Sequence, residues 1–219
     1  MGGLFSIENP FWQFVNRLLH IILLNFLWLI CSIPIITMGA ATTAVYSVTL
    51  KMVKKQEGYT TKSFFEAFRT NFFQSTVIWL ILLVIGAVIG ADLIVYLRAS
   101  SISLPGMLLM IAFFAASVLF VFENIYVFAL QAHFDNTLKR TMGNALIMSI
   151  RHLPTSMAMV TISVLLTALG FLVFPPILFG GIALITWINS FFLVKIFDRY
   201  ELPERYEEQH DYFHLDTIQ

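Results

Sequence analysis

The chain has 219 residues, of which 58% are hydrophobic and only 12% charged, with a mean hydropathy of +0.82. A soluble domain of this size carries about twice that charge, so a soluble fold is excluded, and a net charge of zero argues against a nucleic-acid surface. The single cysteine, Cys31, excludes an internal disulfide and reads as an inert thiol in an apolar stretch.

The first sixteen residues hold no Lys or Arg, so the basic opening of a signal peptide is missing. The first apolar run, residues 18–36, therefore reads as a retained span, although His20, Asn25 and Pro34 interrupt it. Beyond Pro34 comes a run of small residues (Gly39, Ala40, Ala41 and Ala44) that lets helices approach closely.

Residues 40–74 read as a cytoplasmic connection with helices of its own. Residues 42–55 lack Gly and Pro, and Gly58 then breaks the chain. From Lys62 to Gln74, Phe64, Phe65, Phe68, Phe72 and Phe73 recur at helical spacing among Lys62, Glu66, Arg69 and Asn71, with Thr60 or Thr61 as cap. Such a helix either lies in the membrane interface or docks a cytosolic partner. Phe64, Phe65, Phe68 and Arg69 are the candidate docking residues.

Residues 76–97 and 104–131 are apolar all round and long enough to cross about 30 Å of hydrocarbon. Ser100 to Gly106 reads as the short outer loop between them. Glu123 and Asn124 fall inside the third span, Glu123 about 12 Å along the helix from Gln131. A carboxylate at that depth marks a substrate or proton site, or else a structural hydrogen bond with a polar group such as Asn25 or Asn189. Asp92, near the outer end of the second span, reads as solvated.

Residues 135–152 form a second amphipathic connection, with Leu138, Met142, Ala145 and Leu146 on one side and Lys139, Arg140 and Asn144 elsewhere. Asp135 and Asn144 join the candidate docking residues. Setting Ala67 against Ala145 gives two similar helix-then-span patterns with few identities, which either duplication or chance would produce. The spans 155–174 and 176–197 follow, divided by Pro175-Pro176 as a tight outer reversal. The tail, residues 198–219, is acidic. Its His210 and His214 are four apart, a spacing that short acidic tails often produce by chance, so no metal is expected.

Basic residues orient these elements. Lys51, Lys54, Lys55, Lys62 and Arg69 lie in the first long connection, Lys139, Arg140 and Arg151 in the second, and Lys195, Arg199 and Arg205 at the end. Of the 13, only Arg17 and Arg98 remain for the other side. The positive-inside bias then predicts a multi-pass plasma-membrane protein with its N-terminus outside and C-terminus in the cytoplasm. The expected fold class is all-α: a polytopic membrane helix bundle over residues 1–197, with about five transmembrane helices plus cytoplasmic amphipathic helices.

The stretch Asn25-Phe26-Leu27-Trp28-Leu29-Ile30-Cys31-Ser32-Ile33-Pro34-Ile35-Ile36-Thr37-Met38-Gly39-Ala40-Ala41-Thr42-Thr43-Ala44 resembles the signature of the YesL family of small membrane proteins from Gram-positive bacteria. Phe64-Phe65-Glu66-Ala67-Phe68-Arg69-Thr70-Asn71-Phe72 is similar to that family's next segment. His133-Phe134-Asp135-Asn136-Thr137 with Asn144-Ala145-Leu146 is similar to its third. The resemblance spans about residues 10–200. It implies a genetic context of ABC importers for complex oligosaccharides, and no catalytic residues. There is no phosphate-cradling Gly loop, Cys pair or nucleophile elbow.

Two functions follow as expectations. The first is a non-catalytic accessory subunit of a carbohydrate importer, needing no cofactor, with the bilayer and the permease and ATPase subunits as partners and direct oligosaccharide contact left open. The second is an independent small transporter or channel using a polar path at Glu123 and Asn124. Asn25, Pro34, Gly39, Glu123 and Asn124 are the candidate intramembrane polar or packing residues.

Overall fold

A computed structural model of the chain describes residues 10–56, 58–98, 104–172 and 181–215. Among these the regular elements are all helical: α1 (Pro10–Cys31), α2 (Met38–Val53), α3 (Thr60–Arg98), α4 (Leu104–His133), α5 (Leu138–Arg151), α6 (Leu153–Leu172) and α7 (Gly181–Leu215). The all-α membrane-bundle class expected from composition is the class observed. Beyond Tyr200 only the backbone course of α7 is described, so the side chains of His210 and His214 lie outside the description. The reversal expected at Pro175-Pro176 also falls outside the described residues, as do residues 99–103 of the outer loop. Leu104, Pro105 and Gly106 form the first turn of α4.

The first expected span is not one helix. α1 stops at Cys31, because Pro34 lacks a donor and biases the residue before it away from helical backbone. A single 3-10 turn, Ile35–Thr37, then reverses the chain. Thr37 Oγ1 lies 2.6 Å from the Cys31 carbonyl, satisfying one of the orphan acceptors at the end of α1. Trp79 Nε1 of α3 donates to the Ile35 carbonyl at 2.8 Å and pins the corner from outside.

Past this corner α2 runs back antiparallel to α1, with Trp28 Nε1 bonded to Thr42 Oγ1 at 3.0 Å. The segment expected as a cytoplasmic connection contains α2, which is the central helix of the bundle. Gly39 to Ala41, Thr43 to Leu50 and Met52 are all buried, enclosed by α1, α3, α4 and α7. Its small residues make that enclosure feasible. A Cβ on Gly39 would stand 2.5 Å from Trp79 Cβ and 2.6 Å from the Ser75 carbonyl oxygen. Two of its hydroxyls bond to neighbouring helices: Thr43 to Ser75 at 2.9 Å and Thr49 to Ser190 at 2.9 Å.

α2 ends in a left-handed cap. Lys55 has φ 55, and the Gln56 N–H reaches back to the Lys51 carbonyl at 2.9 Å. Gly58 and Tyr59 lead into α3, where Thr60 Oγ1 meets His20 Nδ1 at 2.8 Å. α3 then continues unbroken for 39 residues, about 58 Å of helix. The amphipathic helix expected at 62–74 and the span expected at 76–97 are thus one rod, because neither Gly nor Pro interrupts the chain between them. The corresponding pair α5 and α6 is broken at His152, just before Leu153-Pro154.

Among the described residues four helices are long and apolar enough to cross a membrane: Thr60–Tyr96, Leu104–His133, Leu153–Leu172 and Gly181–Tyr200. The apolar part of α1, Val15–Cys31, is shorter. Its outer face nonetheless exposes Leu19, Ile22, Phe26 and Ile30, and Val84, Leu108, Phe114 and Leu165 are likewise exposed on α3, α4 and α6. In water such surface would drive aggregation; against lipid tails it is at rest.

Cross-helix contacts set which ends lie together. Lys54 at the end of α2 pairs with Asp198 of α7 at 3.2 Å. His133 at the end of α4 stacks on Phe197, centroids 5.2 Å apart. His152 Nε2 at the α5–α6 corner lies 3.2 Å from Tyr200 Oη. His20 sits beside Val48, Lys51 and Met52. The start of α1, the end of α2, the start of α3, the end of α4 and the α5–α6 corner therefore share one end of the bundle, the end rich in Lys and Arg.

Candidate functional site

Two concavities are lined by some of the polar residues singled out from sequence. The first is a cavity of about 620 Å³ among the apolar helices, lined by aromatic and aliphatic side chains with Tyr46, Asn124 and Asn189 among them. Leu83, Val121 and Val164, all exposed, stand at its rim. Asn189 is 1% exposed; its Nδ2 donates to Ser163 Oγ at 3.2 Å, while its Oδ1 has no hydrogen-bond partner among the described residues. Asn124 Nδ2 donates within α4 to the Phe120 carbonyl at 2.8 Å.

Glu123 does not belong to this lining. It is half-buried and one residue from Asn124, a step of about 100° around the helix. Among the described residues Glu123 makes no hydrogen bond to either partner suggested for it. Asn25 is buried against α7, its Oδ1 accepting from the Ala183 N–H at 3.4 Å. That N–H lies near the described start of α7, so Asn25 acts as a cap supplied from another helix. Asn189 faces Ser163. The polar path expected at Glu123 and Asn124 is thereby divided: the amide lines a cavity and the carboxylate does not. Asp92, expected to be solvated, has a buried Oδ2 without a hydrogen-bond partner among the described residues.

The second concavity is a polar cleft of about 430 Å³ at the basic end, between the residues that follow α4, the flank of α5 and the end of the α7 span. Asp135, Asn136, Asn144, Ile147, Arg151 and Tyr200 line it. Asp135 and Asn144, chosen separately from sequence, thus converge, with Arg151 as the residue sequence reasoning did not single out. Only the i, i+7 spacing of Asn144 and Arg151 on one helix signalled it. The Arg151 guanidinium lies 5.7 Å from the centroid of the Tyr200 ring, a cation–π contact that holds it over the cleft.

A ladder of amides supports the cleft from below. Gln74 Nε2 of α3 donates to the Asn136 carbonyl at 2.7 Å, and Gln131 Nε2 donates to Asn71 Oδ1 at 3.0 Å. Thr141 Oγ1 donates to Gln131 Oε1 at 3.3 Å. His152 beside it has its pKa pushed below the usual histidine range, first by burial and then by the neighbouring Arg151 and Arg199.

The four docking candidates on α3 divide by face. Phe64 is fully buried against the α1–α2 hairpin and is a packing residue, and Phe68 is half-buried beside it, rings 6.2 Å apart. Phe65 and Arg69 are exposed, together with Phe72, Phe73, Lys62 and Glu66 on the same side. Pro34 and Gly39 stand at the α1–α2 corner and the α2–α3 crossing. Among the described residues no cluster of His, Cys, Asp and Glu is grouped as a metal site would require.

A family profile described as "Protein of unknown function, DUF624" matches residues 21–93, from within α1 through α2 into α3. "Uncharacterized protein YteU" of Bacillus subtilis (strain 168) is 26% identical over 159 residues, 70% of this chain and 70% of its own length. No solved structure matches.

Proposed function

We propose that this chain is a non-catalytic, YesL-like integral membrane subunit that assembles with an oligosaccharide ABC importer in the plasma membrane. The observation that carries the reading is the outer face of the first half of α3. Phe65 is 48% exposed and Phe73 81% exposed, and they alternate with Lys62, Glu66 and Arg69. Aromatic side chains and Arg are enriched at protein interfaces, and Lys62 and Glu66 beside them suit the polar rim of one. Glu66 gains nothing from an anionic lipid surface. The matched profile region includes this face, and the resemblance to YesL proteins supplies the importer as partner.

The basic end is the cytoplasmic end by the positive-inside bias. The α1–α2 hairpin then enters from the cytoplasm and returns to it, with four full spans following. On this reading α1 starts on the same side as α7 ends, replacing the outside N-terminus expected from five spans.

Affinity purification of the full chain in mild detergent tests the assembly. Permease and ATPase subunits are expected with the parent and lost from a variant combining Phe65→Ala, Arg69→Glu and Phe73→Ala, all at exposed positions. Recovery of the parent alone contradicts the proposal.

A further inference from the structure

We propose that α5 and its cleft form a binding site for the headgroup of an anionic phospholipid of the cytoplasmic leaflet. α5 carries Lys139, Arg140 and Arg151 and no Asp or Glu. Its buried side is Thr141, Ala145, Met148 and Ser149. The opposite side exposes Ile147 at 62% and Ile150 at 48%, flanked by those cations. The helix joins the end of one apolar span to the start of the next, so it lies at the level where headgroups lie. An apolar stripe on a helix whose own charges are all cations fits, at that level, acyl chains below and phosphates above. The outer face of α3 differs on this point, since it carries both signs of charge.

The cleft supplies the specificity. Arg151, held over Tyr200, is placed to take the phosphodiester, and Asp135, Asn136 and Asn144 offer acceptors for hydroxyls of the head. Phosphate plus vicinal hydroxyls is the chemistry of a glycerol headgroup. Ile147 at the lip leads from the cleft toward the exposed apolar stripe.

The full chain, purified in an uncharged detergent, is incubated with phosphatidylglycerol or with phosphatidylcholine of the same acyl chains, and bound lipid is counted by native mass spectrometry. The parent is expected to retain phosphatidylglycerol in preference. Arg151→Gln is expected to lower that retention about fivefold, the effect of one basic group at an anionic surface, and to leave phosphatidylcholine unchanged. Asn144→Asp, which adds a carboxylate to the cleft without touching Arg151, is expected to lower it too. Equal retention of the two lipids, or phosphatidylglycerol binding unaltered in both variants, overturns the proposal. So does displacement of the lipid by inorganic phosphate, or a photo-crosslinker at position 147 that labels protein instead of phospholipid.

Discussion

Gly39 shows how much of this fold hangs on single side chains. The backbone of α2 approaches α3 so closely that a methyl group has no place between Trp79 Cβ and the Ser75 carbonyl. The backbone atom cannot swing away, so the helices must separate and the Thr43–Ser75 bond must stretch. Gly39→Ala is therefore expected to destabilise by about 1–3 kcal/mol, the range for overpacking a filled core, read as a lower midpoint of thermal unfolding in detergent. Gly143→Ala in α5 is the control: nothing lies within 4 Å of the added carbon, and the gain in helix propensity is expected to leave the midpoint unchanged or higher. A midpoint unchanged by Gly39→Ala would mean that the two helices do not pack this tightly. The small residues that permit this crossing were visible in the sequence. Their partners Trp79 and Ser75 were not, because a run of small residues shows that something comes close and not what. Asn25 was visible as a polar group at depth, but its role as a cap for α7, 158 positions away, depends on tertiary contact alone.

At the scale of elements, α5 and its corner with α6 carry the titratable chemistry outside the spans. In the folded chain His152 binds its proton less readily than an ordinary histidine, through burial and then Arg151 and Arg199. The unfolded chain therefore takes up the proton first, and acid favours unfolding. The His152 contribution is intact above the usual histidine range and is lost as pH falls through that range toward the lowered folded value. Unfolding midpoints measured from about pH 8 to about pH 5 are expected to fall on the acid side, and His152→Gln is expected to flatten that fall. A profile identical in the two proteins would contradict the assignment. Amphipathicity made α5 legible, and its boundaries lie close to those expected. The burial of α2 was not legible, because its lysines and its lack of Gly and Pro beyond residue 41 show a helix and not what encloses it. Thr43 and Thr49 on α2 bond to Ser75 and Ser190 of neighbouring helices. The continuity of α3 could have been anticipated from its lack of Gly and Pro between residues 60 and 85.

For the whole molecule, the all-α membrane class followed directly from long apolar runs, but the path of the chain did not. Hydropathy counts apolar residues and cannot tell a crossing helix from one that turns back at a proline. The contacts of His20 with Thr60 and of Trp28 with Thr42 make α1 and α2 a hairpin that starts and finishes at the basic end. Reporter fusions placed before α1 and after α7 are expected to report the same side of the membrane, and opposite sides would contradict the hairpin. In the proposed orientation the outer faces of α3 and α5 lie together at the cytoplasmic interface, one proposed to meet protein and the other lipid. The central claim, that the α3 face meets an importer, is tested most directly in living cells. A photo-crosslinking residue at position 73 is compared with one at position 114, which is exposed in the half of α4 away from the basic end. The account predicts adducts from position 73 with permease or ATPase subunits and none from position 114. Position 73 yielding only lipid adducts, or the same products as position 114, would contradict it.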